Sequence, residues 1–138
     1  MTYLLDTCVL SELTKQVPNE GVLGFLRDTD EASLRLSVLT LGELEKGVAR
    51  LPASAKKEAL EEWLREIREA YGARILDVTA EVAVEWGRLG ARTEMKGRPV
   101  PVVDALIAAT ALVHGLTVVT RNTKDLERTS VKTENPWR

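Results

Sequence analysis

Histidine and cysteine each occur once among the 138 residues, as His114 and Cys8, and this scarcity removes several chemistries at the outset. A lone thiol cannot build an internal disulfide framework and suits a reducing compartment such as the cytoplasm. A Ser-His-Asp or Cys-His device would have to use His114, which directly precedes Gly115; capping a helix end is the simpler role there. Aromatic residues make up 4% of the chain, too few for a base-stacking platform. No apolar run approaches the roughly 18 residues of a membrane span. Asp6 also interrupts Tyr3-Leu4-Leu5 before a signal-peptide core could form. Neither sign of charge dominates, since 19 basic and 21 acidic side chains leave a net −2. Any affinity for nucleic acid must therefore come from a local patch.

What is present is ordinary for a globular protein: 44% hydrophobic and 29% charged residues, without repeats or low-complexity linkers. Residues 1–138 read as one domain able to bury a single core. Short β-like runs alternate with longer helical ones, which predicts a three-layer α/β/α sandwich around a mainly parallel sheet. The strands are Tyr3–Leu5, Leu34–Ser37, a run beginning at Ile75-Leu76, and Leu116–Thr120, with an edge strand possible in the tail after Asn122. Helical spacing marks Thr7 to about Lys15, a segment after the Pro18-Asn19 turn, and Leu41, Leu44, Val48 and Leu51 before Pro52. It also marks Ala53–Tyr71, a helix capped by Thr79, and Val102–His114. Trp63 and Trp86 fall on faces read as inward. Glu61/Arg65 and Arg65/Glu69 are spaced for i,i+4 ion pairs on a solvated face.

Three carboxylates stand out by position. Asp6 follows a buried strand and could simply cap the next helix. Glu43 comes three residues after Thr40, a capping-box spacing, and Asp104 occupies a first helical turn, where a negative charge is favoured. Each alone has that structural explanation. Together they leave strand ends or begin helices on what can be one rim of an open parallel sheet, the place where ligand sites form. Thr120-Arg121-Asn122 leaves the last strand at the same rim. Converging carboxylates repel one another unless they are protonated or share a cation. Mg2+ or Mn2+ is the expected cation, and it can activate water against a phosphodiester.

These segments, in order, resemble the PIN-domain nucleases, specifically the VapC and FitB-like toxins of bacterial toxin–antitoxin pairs. They are Leu4-Leu5-Asp6-Thr7, Leu39-Thr40-Leu41-Gly42-Glu43-Leu44 with Gly47, Val103 through Ala111, Gly115 through Asn122, and Asn135-Pro136-Trp137. The resemblance covers essentially the whole chain. It implies a Mg2+- or Mn2+-dependent endoribonuclease, usually a homodimer, silenced by a cognate antitoxin through which alone it meets operator DNA. Asp6, Asp104 and Glu43 would then hold the metal directly or through water, and Thr7 and Thr120 would orient carboxylates or a water at the substrate side. Asn122 stands where some members carry a fourth aspartate. It can bond a metal water through its carbonyl oxygen but adds no charge, so Asn122 and Asp125, three residues later, both remain candidates for the fourth site position.

Arg121 beside that rim is the best placed phosphate contact. Arg88, Arg92 and Lys96, with Arg98 following, form a basic helical stripe that could track RNA or be an ordinary solvated face. Cys8 reads as a small packed residue. Two rival readings remain. A phosphoryl-transfer enzyme with Asp6 as nucleophile generally shows Asp-x-Asp-x-Thr, yet Cys8 stands two residues after Asp6. A catalytically weak PIN fold acting mainly as an antitoxin-binding partner finds its support in Asn122.

Overall fold

The computed structural model describes residues 1–138. Five strands form one sheet: β1 (Tyr3–Leu5), β2 (Leu34–Ser37), β3 (Ile75–Leu76), β4 (Thr117–Val119) and β5 (Thr133–Glu134), in the order β3-β2-β1-β4-β5. Every pairing is parallel, so each connection must cross over a face of the sheet. Helices α1 (Thr7–Glu12), α2 (Glu20–Asp28), α3 (Val38–Ala49) and α4 (Ala55–Tyr71) cover one face. Helices α5 (Ala80–Met95), α6 (Val102–His114) and α7 (Thr123–Glu127) cover the other.

Strand alternation divides the core between those two layers. Leu4 and Val118 are paired in register and enter a cluster with Leu89, Ile107, Ala108 and Leu126. Their successors Leu5 and Val119 turn the opposite way, into a cluster with Val9, Leu10, Val22, Leu36, Leu44 and Leu64. Central strands buried on both faces read as continuous apolar runs, as Leu4-Leu5 and Val118-Val119 do. Burying such a side chain contributes about 1.5–3 kcal/mol.

The chain order reverses direction at β1, which lies between β2 and β4. The carboxyl ends of β1 and β4 therefore splay around a crevice at a topological switch point. Asp6 leaves the first of these ends and Thr120 the second.

Local chemistry differs from the sequence-based expectation in three places. Helix α3 begins at Val38, because the Ser37 hydroxyl accepts the Leu39 N–H at 3.0 Å. Ser37 reaches the free helix N–H groups before Thr40 can, so Thr40 and Glu43 lie inside the helix and no Thr40–Glu43 capping box forms. Trp86 is 38% exposed; the inward stripe of α5 is Val82, Leu89 and Thr93, which leaves Trp86 on the flank. Arg65 pairs with Glu62 at 2.7 Å, one helical step closer than the i,i+4 partners Glu61 and Glu69.

The tail after β5 folds back over α1 and α2. Asn19 caps α2 by accepting the Gly21 and Val22 N–H groups at 2.9 and 3.3 Å. The same side chain accepts the Arg138 N–H at 3.2 Å and donates to the Arg138 carbonyl at 2.9 Å. The approach is so close that a Cβ on Gly21 would collide with the Pro136 carbonyl oxygen, whereas one on Gly24 would meet only the flexible Arg27 guanidinium at 3.6 Å. Gly21→Ala is thus predicted to cost about 2 kcal/mol by overpacking against backbone, while Gly24→Ala is neutral or stabilising by helix propensity. Urea unfolding of the two variants checks this; equal stabilities would show that the tail does not press on Gly21.

Candidate active site

The crevice at the switch point opens into a cleft of about 500 Å³ lined by Asp6, Thr7, Cys8, Glu43, Asp104, Arg121 and Asn122. Asp6, Glu43 and Asp104, from three separate stretches of chain, meet in this one cleft, with Asn122 but not Asp125 among its lining residues. A larger cavity of about 790 Å³ lies between α2 and the tail, and it contains none of these residues.

Asp6 is the best anchored. Its N–H completes the β1–β4 ladder by donating to the Val119 carbonyl at 3.0 Å. Its carboxylate accepts the Thr7 N–H at 2.9 Å on Oδ1 and the Thr120 hydroxyl at 2.8 Å on Oδ2. An N-cap oxygen ordinarily takes the N–H two or three residues on. Asp6 takes only that of its immediate neighbour, so capping alone does not account for its orientation toward the cleft. At 9% exposure the carboxylate needs these partners.

Glu43, in the second turn of α3, is exposed on the cleft wall, and its Oε1 accepts the Thr7 hydroxyl. Thr7 also lies 3.4 Å from the buried Thr40 hydroxyl. Thr7 thus links the β1 end to α3 and holds one Glu43 oxygen.

Thr120 requires a correction. The sequence allowed it two roles, orienting a carboxylate or water and contacting substrate; only the second is corrected, because Thr120 is fully buried behind Asp6. Its hydroxyl is committed to Asp6 and accepts the Asn122 N–H at 2.9 Å. It orients Asp6 and cannot touch substrate.

Asp104 sits in the first turn of α6, half-buried. Its carboxyl is pushed up to about 6, first by burial and then by the negative charges of Asp6, Asp125 and Glu43. Repulsion from those acids, added to desolvation, outweighs the favourable dipole at this helix end. That pressure is the electrostatic signature of convergence.

Asn122 lines the cleft and Asp125 does not. The Asn122 amide nitrogen donates to Asp104 Oδ2 at 3.4 Å and to Asp125 Oδ2 at 3.1 Å. Its amide nitrogen therefore bridges two carboxylates, while its carbonyl oxygen has no hydrogen-bond partner in the protein. Asp125 is held from its other side by Arg128 at 3.6 Å.

Arg121 is the only cationic side chain lining the cleft. The Arg88–Lys96 stripe stays on α5, away from it; Arg92 pairs with Glu85 at 3.1 Å, and Arg88 lines a separate groove with Val84 and Val113. His114 is exposed at the far end of α6, before Gly115 in the left-handed conformation.

Two participants were not found by sequence reasoning. Cys8 lines the cleft, with Sγ 3.9 Å from Asp6 Oδ2 and accepting the Arg121 N–H at 3.5 Å. Burial raises its thiol pKa, so it stands there as a neutral group. Its place directly after Asp6-Thr7 was the available signal. Trp137, in the tail, does not line the cleft but lies with its ring centroid 5.7 Å from the Arg121 guanidinium carbon, and no local pattern could have shown that.

Fold and cleft together define a class: open parallel-sheet proteins carrying a carboxylate site at the switch point. Residues 3–132 match the PIN domain model, and the chain belongs to the PIN-domain family. It is 37% identical over 135 residues to the toxin FitB of Neisseria gonorrhoeae, covering 97% of each chain. It is 33% identical to the VapC ribonuclease Y4jK of Sinorhizobium fredii, covering 97% of this chain and 96% of the relative. Among solved structures, FitAB bound to an IR36 DNA fragment superposes with a TM-score of 0.95 at 34% identity, covering 99% of this chain and 96% of the other.

The Asp104 carboxyl makes a stability prediction whose sign follows from linkage. Its folded-state pKa, about 6, lies above the ordinary 3.8, so the folded state binds the proton more tightly. Stability is therefore lost as pH rises from about 4 through 6, as the charge is forced on. Asp104→Asn removes that cost. Without added metal, the variant should be more stable than the wild type above pH 7, by on the order of 1 kcal/mol or roughly 3 °C once solvent screening is allowed for. The advantage should vanish near pH 4. Thermal melts across this range decide it; a constant offset at every pH would refute the electrostatic origin.

Proposed function

We propose that this chain is a Mg2+- or Mn2+-dependent endoribonuclease, the toxin of a bacterial toxin–antitoxin pair, that hydrolyses RNA phosphodiester bonds in the Asp6–Glu43–Asp104 cleft. The observation that carries the reading is the meeting of Asp6, Glu43 and Asp104 in one cleft, and the raised Asp104 carboxyl, pressed by burial first and then by Asp6, Asp125 and Glu43, agrees with it. A set of like charges held together at such a cost suits a cation.

The donors fit a hard ion. All are carboxylate oxygens, and Glu43 Oε2 and Asp104 Oδ1 accept no hydrogen bond from the protein. The acids do not close into a ready-made cage of three ligands. Mg2+ does not require such a cage, since it keeps several waters and takes only one or two carboxylates. Asp6 and Asp104 would hold the ion, with Glu43 reaching it directly or through water. When bound, the cation supplies Lewis acidity, making a water more acidic and offsetting charge on the phosphate.

The chain's own groups divide the remaining work. Thr120 and the Thr7 N–H fix the Asp6 carboxylate. Thr7 holds Glu43 with one oxygen facing the cleft, where it can accept a proton from the attacking water. Asn122 holds Asp104 by its amide. Arg121 receives a non-bridging phosphate oxygen, the pairing a guanidinium makes best. The rival binding-only reading rested on Asn122 adding no charge; Asp125 supplies that charge, close enough to raise Asp104.

The names of the relatives support the biological setting: one is a VapC ribonuclease, another a toxin, and the FitAB assembly sits on DNA. On this reading residues 1–138 work as one domain, homodimeric, in the cytoplasm. A cognate antitoxin is the partner and makes the contact with operator DNA. No helix of the chain is long and apolar enough to cross a membrane.

The purified chain, freed of its partner, should cleave RNA with Mg2+ or Mn2+ and stop on addition of EDTA. Asp6→Asn and Asp104→Asn should each lower the rate by about 100-fold or more. The rate should rise with pH as Asp104 loses its proton near 6 and level off above, with the rise moving to lower pH as Mg2+ increases, because metal and proton compete for the same oxygen. Full cleavage by either variant, or in EDTA, would refute the carboxylate site.

A further inference from the structure

We propose that Trp137 is a positioning residue for RNA binding: its indole face carries the Arg121 guanidinium at the cleft rim and keeps that cation available to a phosphate. The inference rests on the reading of Arg121 as a phosphate contact and goes beyond it, because it gives a residue of the C-terminal tail a part in holding that cation.

Arg121 occupies an awkward place. It is the sole cation in a cleft with Asp6, Glu43 and Asp104, and a flexible guanidinium there would be drawn onto those carboxylates. Such pairing would block the metal ligands and the phosphate contact together. Yet Arg121 forms no ion pair with any of them; its guanidinium carbon lies 5.7 Å from the Trp137 ring centroid, within cation–π range. Its backbone N–H is held by Cys8 Sγ, which fixes the main chain while leaving the side chain to the indole.

The indole itself is firmly held. Its Nε1–H donates to Glu12 Oε1 at 3.3 Å, and its backbone N–H donates to Asn135 Oδ1 at 3.1 Å. Glu12 is 4% exposed and is fixed in turn by Lys15 at 2.9 Å and by the Asn19 N–H at 2.9 Å. Those donors, the Lys15 ion pair foremost, hold its carboxyl below the usual carboxylate range, so it remains an anchoring anion. The Trp137 side chain packs on the core cluster of α1–α4. A rigid platform on one side and a free cation on the other make a bracket, and removing the platform frees the guanidinium to fall inward.

A double-mutant cycle tests this on the full chain, with a fluorescent RNA stem-loop as probe. Binding is read by anisotropy with Ca2+, an oxygen-seeking cation, in place of Mg2+, and KM and kcat are read with Mg2+. Trp137→Leu should weaken binding and raise KM by roughly two- to fivefold, the range of an exposed cation–π contact, with kcat nearly unchanged. Trp137→Phe keeps a weaker face and should lose less. In an Arg121→Ala background neither substitution should have any further effect. If the loss from Trp137→Leu persists there undiminished, the tail acts independently of Arg121 and the proposal is overturned. If Arg121→Ala itself leaves binding and KM unchanged, the phosphate-contact reading fails and the proposal falls with it, while loss of cleavage in Asp6→Asn and Asp104→Asn would still uphold the carboxylate site. Should the leucine variant unfold, the same cycle run with Trp137→Phe decides the matter: a smaller rise in KM must disappear with Arg121.

Discussion

The buried hydrogen bond from the Thr120 hydroxyl to Asp6 Oδ2 is the point from which the rest of the cleft is set out. It joins the carboxyl ends of the two central strands where their connections diverge to opposite faces. A carboxylate this buried must be satisfied or it will protonate or turn away. Thr120 satisfies one oxygen from behind and Thr7 the other from the side, which leaves Asp6 facing the cleft. Thr120 then accepts the Asn122 N–H, so one hydroxyl links the anchored acid to the loop that carries Arg121 and Asn122. Without it the strands could still pair, but the rim would have no common reference.

Two acids in the same small fold show how burial is put to opposite uses. Glu12 is nearly inaccessible and stays ionised, because Lys15, the Asn19 N–H and the Trp137 indole surround it with donors. Asp104 is more accessible and is pushed toward its neutral form, because what surrounds it is negative. The first carboxylate holds structure together; the second is under a stress that only a proton or a cation relieves. Direction of shift separates the two roles where burial alone would misassign them.

Much of the fold could be read from the residues because its signals are local and repeated. Leu4-Leu5 and Val118-Val119 are doubly buried strands, and the helices between them keep their spacing over several turns. The acids could be placed on one rim because parallel sheets put strand ends together. Caps and pairs were less legible. Ser37 displaced Thr40 as the α3 cap by one step of competition for the same N–H groups, and Arg65 chose Glu62 over two equally spaced alternatives by rotamer. The role of Thr120 depended on whether a hydroxyl points inward or outward at a strand end, which one more residue of strand reverses. Trp137 lies more than a hundred residues from Glu12 in sequence, and only the return of the tail over Gly21 brings them together.

Charge balance at the rim links these observations to an order of events. Asp6, Glu43 and Asp104 together outweigh Arg121 in the cleft, and the whole chain carries −2. An RNA phosphate therefore meets a repulsive site while the acids are ionised and uncompensated. Raising the ionic strength screens the exposed Glu43 more than the buried Asp6, so salt alone cannot remove the obstacle. A divalent cation can, since it neutralises the acids at the point where the phosphate must come. Arg121 cannot take its place without collapsing onto those acids, and the Trp137 face opposes that collapse. On the proposed function, metal before RNA is thus the sequence of binding the electrostatics favour, and on the proposed role of Trp137 the stacked guanidinium waits at the rim for the second step.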